Sequence, residues 1–159
     1  MAKEQFCPTF LGCVKKDLRV ARALHRLYQE KLEHIAAYLY GNVVTGEAEV
    51  ELSVAFEELS ERSTGHFRLL GRLILALGSD PVVQLRSSLK GVGIRNSEAE
   101  KEDSLQDLLY AMLQKERHFY EHCRELLACI EDGVVRSVLC YLQEEGIEQI
   151  QKLSAMVGG

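Results

Sequence analysis

Apolar residues recur at intervals of three and four from Val20 to Leu153, and only two prolines, Pro8 and Pro81, punctuate the 159 residues. That period belongs to a helix face rather than a strand, and it predicts an all-α chain. A first helix is expected from about Asp17, a residue type that caps helix N-termini, with Val20, Leu24, Leu27, Lys31, Ile35 and Tyr38 on one face and Gly41 as its stop. A second is expected from about Glu47 to Leu77, turning Leu52, Phe56, Leu59, Ser63, His66, Leu70 and Leu73 inward. Gly78-Ser-Asp-Pro81 ends it.

Residues 82 to 102 show no clean period, after which Ser104 opens a third helix with Leu105, Leu109, Met112, Glu116, Cys123 and Leu127 in register. Glu131-Asp-Gly133 makes a turn, and a fourth helix runs from Val134 to about Val157. Its inward positions read Val138, Leu142, Gly146, Gln149 or Ile150, and Leu153. The connections are therefore short, long, short. Short ones force antiparallel neighbours, while a connection over residues 82–103 is long enough to travel the length of a bundle. The whole of residues 1–159 reads as one domain, with residues 1–16 as an N-terminal arm in which Phe6, Phe10, Leu11 and Val14 offer apolar surface to bury.

Charge narrows the function classes. Lys and Arg number 19 against 24 Asp and Glu, a formal net charge of -5, and no basic stripe interleaves with aromatic residues, so nucleic acid is not an expected partner. The charge is unevenly spread, basic over residues 1–40 and acidic over residues 98–159, a polarity suited to steering subunit packing. The richest apolar stretch, Leu69 to Leu77, is broken by Arg72, so no membrane span is expected, and the N-terminal residues lack an apolar signal core. A cytoplasmic location is the expectation. Five cysteines, Cys7, Cys13, Cys123, Cys129 and Cys140, include no CxxC pair and read mainly as reduced thiols, Cys7 and Cys13 being near enough in sequence to pair or to share a metal. No GxSxG, phosphate loop, dinucleotide fingerprint or HExxH is present.

Lys31 to Tyr38, Ser63 to His66, Leu69 to Pro81 and Glu116 together resemble the bacterioferritins and rubrerythrins of the ferritin-like superfamily. Lys31-Leu-Glu-His-Ile-Ala-Ala-Tyr38 is similar to their first-helix phrase, in which a metal-binding Glu is followed seven residues later by a Tyr. Ser63-Thr-Gly-His66, with Leu69-Leu-Gly71, Leu75-Ala-Leu-Gly78 and Asp80-Pro81 after it, resembles their second helix, which bears ExxH and ends before a proline. Glu116, seven residues before Cys123, sits where their third helix supplies its lone Glu, and the chain from Glu131 onward is similar to their fourth. The likeness spans about residues 17–157 and implies a ferritin-like four-helix bundle with one long crossover between helices two and three. It also implies a site for two iron or manganese ions about 3.5–4 Å apart, held by four carboxylates and two imidazoles.

Only His66 and Glu116 keep the identities that such a site requires. Lys31 replaces the first Glu, Ser63 the second-helix Glu, and the core register of the fourth helix puts Gly146 and Gln149 at its ExxH positions. A register shifted by one would instead turn Glu145 and Glu148 inward as metal ligands, at the cost of turning Ile150 and Leu153 away from the core. A lysine ammonium among the ligands takes the place of a cation and repels metal. The expected replacement is a core charge pair between Lys31 and Glu116, with Ser63, His66 and Gln149 as hydrogen-bonding neighbours, the alternative being a Lys31 that snorkels to the rim. Glu30, Lys31, His34 and His66 form a second, displaced candidate metal set, whereas His118 and His122 are expected on a solvated face. Cys123, Tyr28, Tyr38 and Tyr120 read as packing residues.

Two functions follow from this reading. The first is a non-catalytic binding or structural protein without a cofactor, assembling as a homodimer or larger homo-oligomer. The second is an iron- or manganese-handling redox protein using His66, Glu116 and Glu145 or Glu148.

Overall fold

The computed structural model describes residues 8–82 and 98–158. A short α1 (Pro8–Leu11) leads into four long helices, α2 (Leu18–Thr45), α3 (Val50–Ala76), α4 (Glu98–Cys129) and α5 (Gly133–Gly158), which make an all-α four-helix bundle. Among the described residues none is in a strand.

The helix ends follow local chemistry. Asp17 caps α2, its carboxylate accepting hydrogen bonds from the backbone N–H groups of Arg19 and Val20 at 3.0 and 3.2 Å. Asp132 does the same for α5 through Val134 and Val135. α3 ends in a Schellman motif: Ser79 N–H reaches the Ile74 carbonyl and Gly78 N–H the Leu75 carbonyl, with Gly78 at φ 96°.

Two expected boundaries are corrected. Gly41 does not stop the first helix, which continues to Thr45 and is capped by Gly46 at φ 46°. Gly41 is instead a close-approach position, since a Cβ there would fall 2.7 Å from the Phe56 ring. The third helix starts at Glu98 rather than Ser104, because Glu98-Ala-Glu-Lys-Glu-Asp103 consists mostly of helix formers that carry no apolar period to reveal them.

Passing from Glu30 to Tyr38 along α2, the partners on α4 descend from His122 to Glu116, so these helices are antiparallel. Glu58, Arg62 and His66 on α3 meet Lys152, Glu148 and Glu145 on α5, again antiparallel. The short α2–α3 connection reverses the chain as well, so α3 and α4 run parallel. Most of the crossover expected at residues 82–103 lies outside the described residues. So do Phe6 and Cys7 of the N-terminal arm, whose remaining apolar residues, Phe10, Leu11 and Val14, pack on the core.

That core is divided. One apolar cluster gathers Leu24, Leu27, Leu70, Leu73, Phe119 and Leu142 at one end, and a second gathers Ala37, Phe56, Leu59, Leu109, Met112 and Leu153 at the other. Between them each of the four helices contributes one turn of polar residues: Lys31 and His34, Ser63 and His66, Glu116, and Gln149.

Candidate functional site: a buried charge layer

The polar layer follows from helix periodicity. Lys31, His34 and Tyr38 stand at i, i+3 and i+7 on the face of α2 that packs the core, so all three aim at the same level of α4. At that level lies Glu116, whose side chain is 0% exposed, and Lys31 is 1% exposed. Lys31 Nζ stands 3.6 Å from Glu116 Oε2 and 4.1 Å above the centre of the Phe119 ring, which gives the ammonium a second source of stabilisation. His34 Nδ1 lies 3.2 Å from Glu116 Oε1, and the Tyr38 hydroxyl donates to the same oxygen at 2.6 Å.

These neighbours set the protonation state. Burial by itself pushes Glu116 up, but the Lys31 ammonium, with His34 and the Tyr38 hydroxyl, outweighs it and holds the carboxyl far below its ordinary range. Burial and the adjacent carboxylate hold Tyr38 well above the ordinary phenol value, so it remains a donor. At neutral pH the layer therefore contains an ionised Glu116 and a neutral Tyr38.

The other half of the layer centres on His66. His66 Nε2 lies 3.4 Å from Glu145 Oε2, and burial lowers the His66 pKa. Glu145 is only partly covered, at 18% exposure, and the His66 hydrogen bond lowers its pKa. Arg62 draws Glu145 and Glu148 outward at 3.9 and 2.9 Å. Ser63 Oγ, His66 Nδ1 and both polar atoms of the Gln149 amide are buried without a hydrogen-bond partner among the described residues. A Cβ added at Gly146 would meet no atom within 4 Å, so α3 and α5 leave space beside these groups.

The structure brings Lys31 and Glu116 together at the bundle centre, but the neighbours expected for them are corrected. Ser63, His66 and Gln149 share the layer without bonding the pair, and His34 and Tyr38 approach Glu116 instead. The shifted register of the fourth helix is also corrected. Gly146, Gln149 and Leu153 are buried while Glu148 is 59% exposed, because Val138, Leu142 and Leu153 fill the core in that register, and Arg62 meets the Glu148 carboxylate on the outside. The displaced set of Glu30, Lys31, His34 and His66 is not assembled, since Glu30 pairs with His122, His34 with Glu116 and His66 with Glu145. His122, expected in solvent, is buried in the α2–α4 seam at 3.0 Å from Glu30, with His118 outside.

Both α2 residues that sequence reasoning left out of the pair, His34 and Tyr38, carry a legible signal. They lie three and seven residues beyond Lys31, on the same helix face. On its solvent side His34 lines a cleft of about 810 Å³ between α2 and α4, shared with Glu30, Glu33, Lys115 and His118.

The donor set does not fit the two-metal centre implied by the resemblance. One fully buried carboxylate is present, its charge is answered by an ammonium, and no group of three His, Cys, Asp or Glu side chains able to share an ion occurs among the described residues. Nor is any helix among them long and apolar enough to cross a membrane. Comparison of the chain with protein-family models, with curated proteins and with solved structures yields no match in any of the three. Fold and site together define a four-helix bundle with a buried charge layer in place of an apolar centre.

Proposed function

We propose that this chain is a ferritin-like bundle in which a protein-only charge cluster replaces the di-metal centre, and that it acts by binding or by building an assembly rather than by metal-centred oxidation. The observation that carries this reading is the Lys31 ammonium held 3.6 Å from Glu116 with both side chains sealed from solvent. An ammonium there occupies a cation position beside the carboxylate and repels a metal ion, and a pair closed to solvent offers nothing for a substrate to touch. The cluster's work is then to set the register and spacing of α2 and α4, a use of buried charge that favours specificity over stability.

The test is metal loading. Protein purified without a metal-binding tag and incubated anaerobically with Fe(II) or Mn(II) is expected to retain no ion, and its unfolding is expected to ignore chelator. Introducing carboxylates with Lys31→Glu and Ser63→Glu is expected to create an affinity for Co(II). About two ions per wild-type chain would overturn the reading. They would favour the second one, an iron- or manganese-handling site around His66, Glu116 and Glu145, for which the 3.4 Å approach of His66 to Glu145 is the supporting observation.

A further inference from the structure

The exposed side of α3 carries a row of six residues, Val54, Glu57, Glu61, Arg68, Arg72 and Leu75, separated by three, four, seven, four and three positions. Those intervals keep all six on one helical stripe, and all six are solvent-exposed. The row is symmetric in position about the Thr64–Gly65 bond and opposite in charge across it. Apolar, acid, acid on one side answers base, base, apolar on the other.

A two-fold axis through that bond would lay α3 antiparallel on a second α3 and bring Glu61 to Arg68, Glu57 to Arg72 and Val54 to Leu75, each pair formed twice. No such pairing is available inside one chain. Glu61 and Arg68 are seven residues apart, about 10 Å along the axis, and none of the four charges has an ion pair among the described residues. Their neighbours Glu58 and Arg62 are by contrast engaged by Lys152, Glu145 and Glu148 of α5. Glu57 with Glu61, and Arg68 with Arg72, are like-charge i, i+4 pairs that repel within a lone chain and are relieved by docking.

The centre of the row is suited to close approach. Gly65 is exposed, and a Cβ placed there meets nothing within 4 Å. Val50 is exposed one turn before Val54 and extends the apolar end of the row, as Leu75 does at the other end. Under the same axis each end meets the opposite end of the second copy. Described residues of α4 and α5 expose only Tyr110 and Ile147 as large apolar side chains. We propose that the outer stripe of α3 is the seam of an isologous, antiparallel homodimer of this chain, held by reciprocal Glu61–Arg68 and Glu57–Arg72 pairs.

Sedimentation equilibrium of the full chain at tens of micromolar is expected to give the mass of two chains at low salt, shifting toward one chain at high salt. Glu57→Arg with Glu61→Arg makes the stripe wholly basic, and Arg68→Glu with Arg72→Glu makes it wholly acidic. Each double variant is expected to sediment as one chain with unchanged helical circular dichroism. Their equimolar mixture is expected to restore the two-chain species, and all four exchanges in one chain are expected to restore a homodimer. A wild-type chain that stays single would overturn the proposal. So would double variants that remain dimeric alone, or a mixture that does not associate.

Discussion

The Tyr38 hydroxyl and the Glu116 carboxylate, 78 residues apart in sequence, meet at 2.6 Å in the bundle centre. Glu116 Oε1 accepts that bond and also faces His34, while Oε2 is left to Lys31. One carboxylate thus joins three positions of α2 to α4, and the bundle's central register depends on it.

Removing one partner strands the other. Lys31→Met is expected to cost about 3–5 kcal/mol, because Glu116 then keeps a buried charge without a cation. Lys31→Met with Glu116→Leu is expected to recover only part of that loss, since the uncompensated charge is gone but the buried Tyr38 hydroxyl and His34 lose the carboxylate they meet. Urea unfolding of wild type, both single variants and the double variant measures this, and single-variant losses under about 1 kcal/mol would place the pair in a solvated setting.

Acid should destabilise the fold in two stages. His66 has a lowered pKa in the folded chain, so as pH falls below its ordinary 6.5 the unfolded state takes the proton first and stability declines. Glu116, held far below its ordinary 4.5, adds stability that is complete above pH 4.5 and is lost as pH falls toward its folded value. Thermal melts between neutral pH and pH 3 should show both slopes. His66→Asn is expected to flatten the upper one and Glu116→Gln the lower.

Two buried glycines should respond oppositely to alanine. At Gly41 the added methyl strikes the Phe56 ring at 2.7 Å, and a cost of about 1–3 kcal/mol is expected from forced repacking. At Gly146 the methyl enters open space, so the better helix propensity of alanine should stabilise by about 0.5–1 kcal/mol. Denaturant midpoints of the two variants are expected to shift in opposite directions.

Thiol reactivity should separate the cysteines. Cys123 is buried against the polar layer, and burial pushes its thiol up to about 12, whereas Cys129 and Cys140 are exposed. With a disulfide reagent at mildly alkaline pH, Cys129 and Cys140 are expected to react in the folded protein, and Cys123 only once the chain unfolds.

Much of the architecture was legible because local rules act over one or two helical turns. The three–four period marked α2 to α5, the Asp17 cap and the Gly78 stop were readable as side-chain chemistry, and Lys31, Ser63, His66, Glu116 and Gln149 all fell on inward positions. A boundary without that signature is not legible in the sequence. Gly41 looked like a stop because glycine usually is one, and only its distance to Phe56, a contact between two helices, shows its use.

Which buried polar groups pair with which was decided by tertiary structure. From sequence, Lys31, His34 and Tyr38 share a face, but the height at which α4 crosses it determines that Glu116 receives all three while Ser63 and Gln149 receive none. The same holds for Glu145 and Glu148, whose partners, His66 and Arg62, are supplied by a neighbouring helix. Periodicity specifies a direction around one helix axis. Pairing needs the distance and stagger between two axes, which are fixed only when the two apolar clusters on either side of the layer pack to completion.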